Sequence, residues 1–222
     1  MTTTRRDFIE RMTGSAALLG VMPAALSAMP PAEPASAAAE TWDMSWVGRV
    51  KGKHKAVIDC TRMESGDGIL RATMWKQGFV ETMNAKPEDF STVLVLRHDA
   101  IALAMSNEYW AKYDIGKTRV PAGDPPTTKN YGLRNSKTDG TPPMLDDLML
   151  DKYLAGGGIA LACAMALQLF CVPLVAAHDK ISADEARKKA ISMMVPGVIL
   201  QPSGVFATLR AQQAGCAYVL GS

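Results

Sequence analysis

Past about residue 54 the chain alternates between short continuous apolar runs and longer segments whose apolar residues recur every three or four positions. The runs Lys55 to Cys60, Thr92 to Leu96, Ile159 to Cys163, Val198 to Leu200 and Ala217 to Leu220 predict five strands. Thr92 to Leu96 is the clearest, β-branched and apolar throughout as expected of a strand covered on both faces. Between the runs, Ala72, Trp75, Phe79 and Met83 share one face of a helix from Gly66 to about Asn84. Further helices are predicted over about 100–106, over 145–154 ahead of Gly156-Gly157-Gly158, and over 164–170. Ser182 and Glu185 form a capping-box pattern, with Ile181 and Ala186 at staple spacing, and start a helix that runs to about Met194. Ser203 caps a last helix that reaches Ala214 before Gly215. Strands alternating with helices imply a mainly parallel sheet with helices on both faces, hence a five-stranded three-layer α/β sandwich.

Two regions break this alternation. Residues 115–143 are rich in Gly, Pro, Thr and Lys without periodicity, and a loop that long in a compact domain is usually a lid, an interface arm or an insert. Its basic residues, Lys117, Arg119, Lys129, Arg134 and Lys137, alternate with Asp124 and Asp139, as in a solvated mixed-charge loop or an anion-capturing one. At the other break, Arg5-Arg6-Asp7-Phe8-Ile9 precedes a mildly apolar stretch, Met12 to Ala28, and looks like a twin-arginine translocation signal. That stretch is too short and too weakly apolar for a comfortable membrane span. Ala35-Ser36-Ala37 offers small residues for cleavage near Ala38. The expected organisation is a leader over 1–38, a linker over 39–53 and one α/β domain over 54–222, with export to the periplasm by the twin-arginine translocase and no stable membrane span in the mature form.

Composition narrows the function classes. The 222 residues are 48% hydrophobic and 21% charged with a formal net charge of +2, too small an excess to argue for nucleic acid. Cys60, Cys163, Cys171 and Cys216 lie far apart without zinc or haem spacing. In an oxidising compartment up to two disulfides are possible, with no pairing implied. There is no G-x-G-x-x-G, P-loop, G-x-S-x-G, C-x-x-C-H or H-E-x-x-H motif, so no metal and no cofactor is predicted.

The C-terminal residues Pro196 to Val205, followed by Leu209-Arg210-Ala211-Gln212-Gln213-Ala214-Gly215 and Ala217-Tyr218, resemble the closing strand-helix-strand of DsrE/DsrF-like proteins. Leu94 to Ile101 resembles that family's second strand and turn, and Gly158 to Cys163 its "Gly-Val-x-Leu-x-Cys" strand. The likeness covers roughly residues 54–220. It implies an α/β fold, homo-oligomers and, in some members, sulfur relay through a cysteine persulfide. This chain departs from the sulfur-relay members in its leader, in its 115–143 insert, and in Ala162-Cys163-Ala164, which has no obvious activating base beside the thiol.

In open parallel sheets ligands bind beyond the carboxyl ends of the strands. Cys60, His98 and Cys163 are predicted at three such ends. Cys163 also begins a helix, where free backbone amides favour a thiolate, which makes it the candidate nucleophile or sulfur carrier. The alternative is an inert core cysteine. His98, with Arg97 and Asp99 beside it, is a candidate acid, base or orienting group, or else a turn histidine bonded to backbone. Cys60 is a buried structural residue or a redox partner of Cys163, depending on strand order. Tyr109 and Trp110, with Tyr113, either cover a pocket or pack beneath a loop. Cys171 and Cys216 are expected in the core, and His54 and His178 in loops without a metal partner. Two functions fit: an exported protein that binds or relays sulfur or thiol species through Cys163, or a noncatalytic module that takes a small molecule or protein partner through the long loop.

Overall fold

The computed structural model describes residues 41–119 and 127–222, and the leader with its arginine pair and cleavage region lies outside them. Strands β1 (His54–Cys60), β2 (Phe90–Leu96), β3 (Ile159–Cys163), β4 (Ile199–Gln201) and β5 (Ala217–Leu220) form one sheet in the order β4-β3-β2-β1-β5. Every pairing is parallel. The predicted α/β class and all five predicted strands are present.

A parallel sheet requires crossovers, and these are right-handed almost without exception. From β1 to β4 the chain steps one strand at a time in one direction, so its helices fall on a single face. These are α1 (Asp67–Met74), α2 (Lys76–Met83), α3 (Asn107–Lys112), α4 (Leu150–Ala155), α5 (Ala164–Asp179) and α6 (Ala183–Ser192). The return from β4 to β5 reverses that direction and puts α7 (Gly204–Gln213) on the other face.

Strand alternation supplies two cores. Ala56, Ile58, Cys60, Leu94, Leu96, Ala160 and Ala162 face the larger helical layer, whereas Val57, Val93, Val95, Ile159 and Leu161 face α7. Full burial of one valine or leucine contributes about 1.5–3 kcal/mol, so these two sets are the main source of stability.

Several elements differ from expectation for local reasons. The predicted linker is part of the domain from residue 42 onward: Trp46 is fully buried against the α7 face. Arg49 donates to the carbonyls of Gly157 and Gly158, and the Gln201 amide donates to the carbonyl of Asp43. The predicted helix over 66–84 runs as α1 and α2, meeting at Trp75, whose indole N–H donates to the Thr92 hydroxyl at 3.0 Å. The segment after β2 is a 3-10 helix, His98–Ala104. The helix that starts at Ala164 continues to Asp179 through a π turn, Leu167–Cys171, just ahead of Pro173. Proline lacks the N–H that an α turn requires, and a locally wider turn lets the helix pass it. The Ser182–Glu185 capping box forms as read.

The 115–143 insert contains short helical turns and is pinned by Asn130, which is fully buried. Its amide donates to the carbonyls of Leu103 (2.9 Å) and Met105 (2.6 Å), and its carbonyl oxygen accepts from the Gly132 N–H at 2.7 Å. A hydrophilic stretch is thereby anchored through a residue whose polar atoms are bonded to backbone groups that would otherwise lie buried without partners. Among the described residues no single helix is long and apolar enough to cross a membrane.

Candidate functional site

When the segments following two adjacent parallel strands leave toward opposite faces, a crevice opens at their carboxyl ends. Here that divergence falls between β3, which leads into α5, and β4, which leads into α7. A cavity of about 130 Å³ occupies this position.

The amino ends of both helices line it. Cys163 is the N-cap of α5, and its Sγ accepts a hydrogen bond from the Ala166 N–H at 3.3 Å. Ser203 caps α7, its hydroxyl accepting from the Phe206 N–H at 3.1 Å. Helix amino ends carry unpaired N–H groups and partial positive charge, so the Cys163 sulfur stands where negative charge is favoured. Cys163 is 6% exposed and borders the cavity. Around the opening, Met165, Leu169, Phe170 and Val205 are apolar and solvent-exposed.

The end of β2 supplies the third wall. Arg97 lines the cavity and is held by a bidentate pair to Asp59, Nε to Oδ1 at 2.7 Å and Nη2 to Oδ2 at 2.8 Å. The Tyr218 hydroxyl donates to the same carboxylate at 3.1 Å. Asp59 is 2% exposed, and its hydrogen bonds to the guanidinium, with its charge, raise the Arg97 pKa above its ordinary value. On the other side Arg97 lies against Gly204, where a β-carbon would stand 2.5 Å from the arginine side chain. Gly204 is therefore fixed by this close approach. His98 borders the same cavity, is exposed, and has a positive φ of 48°, a conformation seldom adopted by a residue with a side chain.

Three of the seven residues singled out from the sequence, Cys163, His98 and Arg97, thus meet at one cavity. The other four lie elsewhere. Cys60 is fully buried on the α1 side, where Gly68 packs so closely that a β-carbon there would overlap the sulfur. Burial, with the neighbouring Asp59 charge, pushes its thiol up to about 12. The strand order puts β2 between Cys60 and Cys163, two inter-strand spacings or about 10 Å, beyond the reach of a disulfide. The redox pair considered from the sequence is therefore not formed, and all four cysteines are free. Asp99 pairs with Arg119 and accepts from the Met63 N–H. Tyr109 and Trp110 lie in the core rather than over a pocket, and the Trp110 indole donates to the Ala102 carbonyl at 2.7 Å.

No family model, characterised protein or solved structure matches the chain. Its chemistry is read from its own geometry. Among the described residues no three His, Cys, Asp or Glu side chains gather as a metal site. His54 packs against Phe79 and Phe90, and His178 bonds Asp179. Larger cavities, of about 400 and 470 Å³, lie at the insert beside Thr127, Lys129 and Asp139. There the Lys129 ammonium is paired with Asp139. Size alone favours those cavities, but the smaller one holds the thiol and the converging helix ends.

Sequence reasoning missed the partners that complete the site. Asp59 is a lone acid at the end of an apolar strand, a signal that a buried counter-ion must be near. Tyr218 and the rim formed by Met165, Leu169, Phe170 and Val205 carried no such mark, because their meeting depends on strand order and on the π turn.

Proposed function

We propose that this is an exported, periplasmic DsrE-like protein that binds or relays sulfur through Cys163, with His98 beside the reacting atom. The observation that supports this reading is the position of the Cys163 sulfur, at the cavity between the amino ends of α5 and α7. The sulfur accepts the Ala166 N–H at the amino end of α5, and Cys163 lines space that a small donor can enter. Inorganic polysulfide is the simplest test. Intact mass should show a gain of about 32 Da, one reversibly held sulfur atom, absent in Cys163→Ala. A Cys163 left unmodified until the protein is unfolded overturns the proposal. Export is tested separately: a reporter carrying residues 1–40 should leave the cytoplasm only in cells with an active twin-arginine translocase.

The cavity of about 400 Å³ under the insert favours a second reading, a noncatalytic module that holds a small molecule or partner through that loop. In that case ligand binding persists in Cys163→Ala and is lost on substituting Lys129.

A further inference from the structure

Three side chains with metal-binding donor atoms line the Cys163 cavity, and they come from different parts of the chain. Cys163 supplies a thiol at the end of β3, Met165 a thioether in the first turn of α5, and His98 an imidazole just past the end of β2. The set escapes a count of His, Cys, Asp and Glu because its third member is a methionine. Met165 and His98 are exposed and Cys163 is buried, so the donors run from the rim inward. Leu169, Phe170 and Val205 make the neighbouring rim apolar.

Thiolate and thioether sulfur are soft donors, and together with imidazole they suit Cu(I). Zinc sites draw on at least three Cys, His, Asp or Glu ligands. Here the two neighbouring carboxylates are already engaged, Asp59 by Arg97 and Tyr218, and Asp99 by Arg119 and the Met63 N–H. Charge points the same way. Asp59 balances the Arg97 cation, and the amino ends of α5 and α7 add partial positive charge, which opposes a divalent ion. A monovalent ion on a thiolate brings no net charge into that field.

We infer that the crevice is a binding site for a soft monovalent metal ion, Cu(I), held by the Cys163 thiolate, the Met165 thioether and the His98 imidazole. The inference shares with the proposed sulfur chemistry only the access to Cys163 and requires no persulfide. Binding exchanges a proton for the metal: the S–H bond breaks, an S–Cu bond forms, and the proton leaves to solvent. Copper enters and stays as Cu(I), so no electron is transferred. The apolar rim limits the water that competes for the ion.

The test uses the full-length protein, reduced and free of oxygen, titrated with Cu(I) against the chromophoric chelator bicinchoninate. The protein should take one equivalent per chain from the chelator. Cys163→Ser should abolish this uptake, and the same variant reads out any contribution of the other cysteines. Met165→Leu keeps the bulk of an exposed side chain and removes its sulfur. His98→Asn removes the imidazole and leaves a residue that tolerates the positive φ at this position. Each should weaken Cu(I) binding by about tenfold to a hundredfold, at least the loss that follows removal of an outer-sphere partner. X-ray absorption at the copper edge should count two sulfur neighbours in the wild type and one in Met165→Leu, a change that a packing role for the methionine does not produce. Uptake unchanged in both Met165→Leu and His98→Asn overturns the site and leaves a solitary thiol. Absence of uptake by a protein whose Cys163 is readily alkylated while folded also overturns it, with the accessible thiol intact. If Cys163 resists both copper and alkylation until the protein is unfolded, the reading of Cys163 as an accessible thiol fails as well.

Discussion

Cys60 and Cys163 each close a buried parallel strand, yet the two sulfurs have opposite surroundings. At the end of β1 the chain turns into α1, and the glycine of its first turn, Gly68, presses on the sulfur. At the end of β3 the chain turns into α5 while neighbouring β4 sends its helix to the other face, and a gap remains. The comparison teaches that reaching the carboxyl rim of a sheet does not expose a residue. Divergence of the flanking connections does, and it is a property of topology rather than of the residue.

The largest expected effect that would break this comparison is kinetic. Burial raises the Cys60 thiol from an ordinary 9.0 to about 12, which leaves about a thousandfold less thiolate at neutral pH. Peptide mapping after brief alkylation of the folded protein should therefore find Cys163 labelled and Cys60 untouched. Comparable labelling of the two would contradict the contrast. Next in size is the ion pair behind the crevice: Asp59→Ala strands a largely buried guanidinium and should cost about 3–5 kcal/mol in denaturant unfolding. A loss below 1 kcal/mol would mean that solvent already satisfies Arg97. Gly68→Ala pushes a methyl group into the Cys60 sulfur and should destabilise by about 1–3 kcal/mol while leaving the Cys163 labelling rate unchanged.

The smallest effect sharpens the Cys163 side through the far end of α5. There Asp179 accepts from the Tyr113 hydroxyl and pairs with Lys112, Lys189 and His178. These partners, Lys189 foremost, hold its carboxyl far below the ordinary 3.8. In the acid range the unfolded state then binds the proton more readily than the folded one, so stability rises with pH there. The contribution is complete above about pH 4 and disappears as pH falls toward the lowered folded value. Asp179→Asn should flatten the acid limb of the stability profile, and an unchanged slope would remove Asp179 from that role.

How much of this was legible in the sequence follows from the range of the forces involved. All five strands could be read, because a run such as Thr92 to Leu96 specifies burial on both faces by itself. Caps at Ser182 and Ser203 were equally legible, being contacts across three residues. Strand order was not, and with it went the separation of Cys60 from Cys163 and the meeting of Asp59, Arg97 and Tyr218. Trp46 falls in the expected linker because Trp42, Met44, Trp46 and Val47 are too short a set, broken by Asp43, Ser45 and Gly48, to specify an element or to reveal the groove that Trp46 fills. Tyr109 and Trp110 read equally well as a pocket cover or as core, and only packing against Tyr113 and Tyr131 decides it. Asn130 in a hydrophilic stretch resembles any loop asparagine until its three backbone partners are seen.

The pairing of the last strand with the first has a consequence for synthesis on the ribosome. Asp59 is made early, and Tyr218, one of its hydrogen-bond donors, follows 159 residues later. Until β5 emerges and docks, the rim of β1 is an open seam, so completion of this sheet waits on the synthesis of residues about 160 positions downstream of it. A stalled or truncated nascent chain would present that unpaired edge to chaperones and proteases, a vulnerability set by connectivity and independent of what the crevice binds.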